Sequence, residues 1–380
     1  MTTPASTSAV RPTRLEVDLD AVAHNVGVLA RAAGDAAVCA VVKADGYGHG
    51  APAVARAAVE AGASMLAVAL VEEAEELRAA GIEAPILLLS EPPVTGVDRV
   101  LAAGVTPSVY TRAFGDALHA RARAEGAPVR IHLAFDTGMG RVGAPPDAWD
   151  DLIAAASSWD VDLEGIWTHL ARADEPDVAT TAEQLSRFAD LLGRIGGAGL
   201  APRLVHAANS AGTLLHPGAA FDLVRCGIAV YGLSPAPDVR ARDHGLRQAL
   251  RLVSEVSYAK RVSAGTPLSY GHSWSAPADG WVATVPVGYA DGVPRALTNR
   301  VDVLHGGIRR PMVGNVTMDQ VMVWCGDVEP AVGDEVVLLG RQGDEHVDVD
   351  EWAEAAGTIS YEISCGISAR VPRTTAQTDR

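Results

Sequence analysis

The sequence predicts an α/β protein: a (β/α)8 TIM-type barrel over residues 13 to 245, then a mostly β domain over residues 246 to 380. Three observations carry this. Eight short apolar runs alternate with Ala-rich helical stretches through the first two thirds of the chain. Those runs are apolar on both faces, as strands of a parallel sheet are when helices cover them. After about residue 245 the helical spacing stops, and Val-rich runs alternate with Gly and Pro turns. An open, doubly wound sheet shares the first two features and is the alternative topology.

Taken in order, residues 1 to 12 lack an apolar core and read as a disordered lead. DAVAHNVGVLARAAG, 20 to 34, reads as a helix with Asp20 as N-cap and Gly34 as its stop. The apolar runs follow: AVCAVVK (37–43), MLAVAL (65–70), PILLLS (85–90), VTPSVY (105–110), VRIHLAF (129–135), LEGIWTH (163–169), RLVHAA (203–208) and FDLVRCG (221–227). Between them, stretches such as 71–81 and 182–196 carry helical spacing. Beyond 245 come GWVATVPVGY, VDVLHGGIRRPMVGN, VMVWCGDV and GDEVVLLG, each bounded by turn residues.

Composition narrows the function classes. A chain of 380 residues exceeds one ordinary core, consistent with two domains. A net charge of −16 repels nucleic acid and anionic membranes, so neither is an expected partner. No apolar run approaches the ~20 residues that span a bilayer. Cys39, Cys226, Cys325 and Cys365 form no CxxC pair, which suits reduced thiols in a cytoplasm and no metal site.

In such barrels the reacting groups gather at the carboxyl ends of the strands. The polar residues there are Lys43, Asp136, Arg141, His169, Asn209, Ser210 and Arg225. A lysine ending an apolar strand either reaches solvent along its stem or stays as a free amine able to attack a carbonyl. Gly46, Gly48 and Gly50 permit close approach of a ligand but do not form GxGxxG. In RCGIAVYG, Gly227 and the next amides could open a phosphate-binding turn, with Ser210 adding a hydroxyl. ANSAG lacks the GxSxG of a hydrolase elbow.

These segments belong to a longer series. AVVKADGYGHG, DTGMGRVG, THLARADE, HAANSAG, VRCGIAVYG, SYG (269–271), VPVGYADGVPR (285–295), VGNVTMDQ (313–320) and YEISCGISARVPR (361–373) occur in that order. Over residues 13 to 373 the chain resembles the alanine racemase family. The resemblance implies a pyridoxal 5'-phosphate (PLP) enzyme that acts on L- and D-alanine and works as a homodimer with shared active sites. Lys43 would form the Schiff base with PLP. Tyr47, Ser210, Gly227, Ile228 and Tyr361 would hold its phosphate, and His169 would pack beside its ring. Arg225 would face the pyridine nitrogen. A guanidinium only donates, so the ring would stay a weak electron sink, favouring return of the proton to Cα.

Inversion at Cα needs a proton taken from one face and returned to the other. By the same resemblance, Lys43 would serve the D-alanine face and Tyr270, from the partner subunit, the L-alanine face. A tyrosine near pKa ~10 is a poor base at neutral pH. The His169–Arg225 pair would supply the positive charge that activates it. Arg141 would bind the cofactor's phenolic oxygen and the substrate carboxylate, and the Met318 backbone amide would add a second contact to that carboxylate. Asp174, Tyr289, Arg295 and Asp319 match positions at the substrate entrance.

The chain departs from the family pattern in two places. Ala134 stands where many members carry a carboxylated lysine that orients the arginine, so Arg141 must be oriented by something else, a chloride ion or a water. Asn315 replaces an entrance arginine and Thr317 a cysteine. These changes keep open a racemase of broader specificity, acting on serine or lysine. A decarboxylase or Schiff-base aldolase of similar fold would not need Tyr270, and a non-catalytic PLP-binding protein would lack the β domain.

Overall fold

The structure is a computed structural model and describes residues 10–175 and 179–376. Most of the expected N-terminal lead therefore lies outside the described residues. The chain divides into two units: residues 20–247, and the described residues up to Leu19 together with those from Gln248 onward.

In the first unit every apolar run becomes a strand. With β1 at Arg14–Asp18, the strands are β2 Ala37–Val41, β3 Met65–Val68, β4 Ile86–Leu88, β5 Thr106–Val109, β6 Val129–Ala134, β7 Val161–Trp167, β8 Leu204–His206 and β9 Leu223–Cys226. They form one eight-stranded parallel sheet in the order β8-β7-β6-β5-β4-β3-β2-β9. The two ends of that order meet: Asp222 N donates to Val205 O at 3.0 Å and Arg225 N to Ala208 O at 3.0 Å. That closure excludes the open sheet. Helices fill the crossovers, among them Ala51–Glu60, Val71–Ala79, Arg112–Glu125 and Ala179–Gly197. The first helix is Leu19–Ala33, so Asp20 sits in its first turn and is not the N-cap.

The second unit is a sheet in the order β11-β14-β17-β16-β15-β18-β10-β1-β20 with β19 beside β18. Here β10 is Leu250–Glu255, β11 Tyr258–Val262, β12 Pro267–Leu268, β13 Trp274–Ser275, β14 Gly280–Val285, β15 Asp302–His305, β16 Ile308–Val313, β17 Val321–Gly326, β18 Glu335–Gln342, β19 Glu345–Val347 and β20 Arg373–Ala376. The short pair β12–β13 forms a separate hairpin. Two short helices, Val349–Ala356 and Ser360–Gly366, complete the unit.

One boundary needs correction. Residues 13 to 18 were expected at the head of the barrel domain. Instead β1 pairs antiparallel with β10 and parallel with β20. Its alternation explains this: Leu15 and Val17 are fully buried while Arg14 and Glu16 lie on the other face, the pattern of a strand with one wet side. Glu16 accepts from Arg251 Nη1 on β10 at 2.7 Å, which reinforces that register.

Leu15→Ala should therefore act as a core deletion in the β unit, costing about 2–5 kcal/mol. Urea unfolding of the full chain checks this; an unchanged midpoint would place β1 outside the core.

Candidate active site

Lys43 follows β2, and the chain then does something the glycine pattern only partly announced. Ala44, Asp45, Gly46 and Tyr47 all have φ between 51° and 61°, and Gly48 has φ 82°. This is a turn of left-handed helix, held by Gly46 N donating to Val42 O at 3.0 Å and Gly48 N to Ala44 O at 2.9 Å. L-residues resist this conformation by about 1–2 kcal/mol each. The surroundings impose it. Glu73 accepts from the amides of Ala44, Ala69 and Leu70. Asp45 Oδ1 accepts from Ala51 N at 2.8 Å. Gly46 and Gly48 ease the turn, but three residues with side chains share it.

The turn delivers Tyr47 to Gly227. A Cβ on Gly227 would lie 2.3 Å from the Tyr47 hydroxyl, so glycine is required there by contact and not by φ. Ser210 Oγ accepts from Gly227 N at 3.0 Å and Ala229 N at 3.3 Å, which leaves its own proton to donate. Ile228 opens the 3-10 turn Ile228–Tyr231 and is buried. Four of the expected phosphate residues thus meet in one place: Tyr47, Ser210, Gly227 and Ile228.

Arg225 on β9 is a buried charge, with 3% of its surface exposed. Its Nη1 donates to His206 Nδ1 at 2.8 Å. Its Nη2 reaches Thr168 O at 2.8 Å, Ala207 O at 3.0 Å and His169 Nδ1 at 3.4 Å. Its Cζ lies 4.7 Å from the Trp167 ring centroid. Burial lowers its pKa to about 10, so it remains a cation at neutral pH. Burial raises the neighbouring Cys39 and Cys226 thiols to about 12, so neither supplies a counter-charge.

His169 is half-buried beside this cation. Burial, then Arg225, Arg141 and Lys43, depress its pKa to about 3. The imidazole is neutral across the working range, which corrects one expectation: of the His169–Arg225 pair, only Arg225 carries charge. Of the residues that bias this imidazole, Arg225 is in contact with it, at 3.4 Å.

Arg141 is exposed on the loop that follows β6. That loop is shaped by Asp136, whose Oδ1 accepts from Gly138 N and Met139 N at 2.8 Å and whose Oδ2 accepts from Gly140 N at 2.9 Å. The loop returns to the strand through Ala144 N donating to Ala134 O at 2.9 Å. Ala134 itself is buried and contributes only backbone. The frame that carries Arg141 is thus built from Asp136 and not from the side chain at 134. Asp174 lies in the turn beyond His169.

The remaining expected residues belong to the β unit. Tyr270 sits in the turn between β12 and β13, 75% exposed. Ser269 before it has φ 68°, a strained value for a serine. Asn315 holds this turn: its Nδ2 donates to Tyr270 O at 2.7 Å, and Ser269 Oγ donates to Asn315 O at 3.3 Å. Asn299 joins in, accepting from Gly314 N at 2.6 Å and donating to Ser273 O at 3.2 Å. Asn315 is therefore a brace for the Tyr270 turn as well as a lost entrance charge. Tyr289 N donates to Thr317 O at 2.9 Å and Ala290 N to Met318 O at 3.0 Å, which packs the Tyr289 turn on the Met318 loop. Asp319 pairs with Arg370 at 2.7 Å. Arg295 is exposed in a 3-10 turn, and Tyr361 lies half-buried in the helix Ser360–Gly366.

Family models decide the lineage. The alanine racemase N-terminal domain matches residues 17–235 and the C-terminal domain residues 249–375. The chain belongs to the alanine racemase family. An alanine racemase of Symbiobacterium thermophilum is 49% identical over 366 residues, spanning 96% of this chain and 97% of that one. The crystal structure of alanine racemase from Streptomyces lavendulae superposes with a TM-score of 0.93 at 41% identity, covering 98% of both chains. An alanine racemase structure from Bartonella henselae, which carries covalently bound pyridoxal phosphate, superposes with a TM-score of 0.85 at 29% identity over 96% of this chain and 99% of that one. As a member of this family the protein is an amino-acid isomerase.

Four further residues pack beneath these groups: His206, His132 and Glu164 in the barrel interior, and Tyr231, whose hydroxyl donates to Val41 O at 3.0 Å beneath Tyr47. No sequence signal marked them, since each of the two histidines stands alone inside an apolar run.

His132, His169 and His206 all have depressed pKa values, chiefly through burial. Unfolded, each takes a proton near pH ~6.5; folded, each resists it. Their contribution to stability is complete above that pH and is lost as pH falls below it. The urea midpoint should drop from pH 7.5 to pH 5, above the range where most carboxylates titrate. A flat or rising midpoint would contradict the buried neutral assignments.

Proposed function

We propose that the protein interconverts L- and D-alanine using PLP held at the mouth of the barrel, with Lys43 and Tyr270 as the two proton carriers. The observation that carries this reading is the meeting of Tyr47, Ser210 and Gly227 at the end of the strand that carries the buried Arg225. A phosphate suits the hydroxyls of Tyr47 and Ser210, and a buried cation suits an anionic cofactor. Tyr47, Ser210, Gly227 and Ile228 form the phosphate end on this reading. Arg225 has Nε–H and one Nη1–H without an acceptor among the described residues, so it can still meet a ring nitrogen. When bound, the cofactor would supply an electron-withdrawing ring that acidifies the Cα–H bond of an amino acid.

The chain's own groups then divide the work. Arg225 gives its nitrogen partner a donor and no transferable proton, which limits how far charge is drawn from Cα. Arg141 and the Met318 amide orient the substrate carboxylate. Lys43 Nζ exchanges the proton on the D-alanine face. Tyr270 Oη exchanges it on the L-alanine face, with Arg225 as the cation that favours its phenolate. Because Tyr270 is so exposed in a single chain, we assign it to the active site of a second copy, so the working unit is a homodimer. Asp174, Tyr289, Arg295 and Asp319 would line the entrance. D-alanine made in this way would serve peptidoglycan synthesis in the cytoplasm. Asn315 supports a second reading: engaged with Tyr270 and uncharged, it leaves a less cationic entrance that would admit serine or lysine.

Tyr270→Phe tests the division. In heavy water, loss of the α-proton of L-alanine should slow about a thousandfold, while exchange of D-alanine stays within about tenfold. Equal loss on both faces would sink the two-base assignment.

A further inference from the structure

Behind Arg225 the barrel interior holds a chain of polar groups that the racemase mechanism leaves unused. It runs from Arg225 through His206 and His132 and ends at Glu164 on β7. Arg225 Nη1 lies 2.8 Å from His206 Nδ1, His206 Nε2 lies 2.8 Å from His132 Nδ1, and His132 Nε2 lies 3.2 Å from Glu164 Oε2. Both imidazoles are fully buried. The space for this chain is built in: a Cβ on Gly165 would lie 2.5 Å from the His132 ring, so only glycine fits there.

The chemistry of the two ends settles every proton between them. A guanidinium only donates, so His206 Nδ1 must accept. Neutral His206 then carries its proton on Nε2 and donates to His132 Nδ1. His132 in turn carries its proton on Nε2 and donates to Glu164, which as a carboxylate only accepts. Burial lowers the pKa of both histidines, which keeps each neutral and the direction unbroken. Glu164 Oε1 is held from outside by Arg130 Nε at 3.5 Å and Arg203 Nη2 at 3.7 Å.

We infer that Glu164 is a positioning residue for Arg225: acting through His132 and His206, it imposes one direction of hydrogen bonding along the barrel interior and so guarantees an acceptor to the guanidinium. Without an acceptor at Glu164, His132 gains nothing from Nε2–H. If its proton moves to Nδ1, His206 must accept on Nε2 and carry its own proton on Nδ1. That proton would face the Arg225 N–H, donor against donor. The guanidinium would lose a partner and its fixed pose. The catalytic consequence rests on the racemase reading above; the proton positions do not.

The test is nitrogen NMR of the full-length holoprotein labelled with 15N-histidine. In the wild type, His132 and His206 should both show protonated Nε2 and bare Nδ1. Glu164→Leu should move part of His206 to the Nδ1–H form and lower kcat about tenfold with KM within about threefold, the scale seen for partners that orient a site group. Glu164→Gln, whose amide oxygen can still accept, should restore the wild-type proton positions and recover most of kcat. A proton on Nδ1 of either histidine in the wild type overturns the inference, and that spectrum needs no variant to fold. Unchanged histidine signals in folded Glu164→Leu also overturn it, because Arg225 alone would then be setting the order. Wild-type proton positions as expected in a protein that fails to racemise alanine would overturn the functional reading and leave the relay standing.

Discussion

Among the described residues no carboxylate lies against the buried Arg225 guanidinium, and that is the constraint the barrel interior answers. Removing such a charge from water costs several kcal/mol even after relaxation, unless its donors are satisfied. Arg225 meets that demand with carbonyls of Thr168 and Ala207, the imidazole of His206 and the face of Trp167. Each of these is neutral, so the positive charge is stabilised without being cancelled. That is a poor arrangement for stability and a good one for a site that must receive an anion. The neutrality of His169 and the protonated thiols of Cys39 and Cys226 are consistent with it.

The same exchange of stability for function recurs at the left-handed turn after Lys43. Ala44, Asp45 and Tyr47 occupy a conformation that L-residues avoid, and Glu73 and Asp45 hold it with backbone hydrogen bonds. The turn ends with Tyr47 against Gly227, bringing a strand end and a distant 3-10 turn together. In the β unit, Ser269 is strained in the same sense and is braced by Asn315 and Asn299. Strain in both units thus sits next to the residues assigned to proton transfer.

Much of the architecture was legible because its signal is local. Runs such as 65–70 and 85–90 are apolar on both faces and too short for buried helices, and eight runs in alternation leave few topologies. The strand-end residues were legible once the barrel was assumed, since position along a strand fixes which end a residue occupies. β1 was misassigned because sequence order says nothing about which sheet a lone strand joins. The relay through His206, His132 and Glu164 was hidden because each member sits inside an apolar run, where an isolated histidine signals nothing. Only the register of β6, β7 and β8 sets them side by side. Asn315 was read as the loss of a charge; its amide bond to the Tyr270 carbonyl depends on a turn geometry that spacing does not reveal.

The claim that unites these features is that the cation-lined barrel mouth inverts alanine at Cα. It is tested most directly by supplying the purified protein with PLP and L-alanine in heavy water, then separating the products by chirality and mass. The account predicts D-alanine carrying deuterium at Cα, progressing to a racemic mixture. Recovery of unlabelled L-alanine, or pyruvate as the main product, would contradict it.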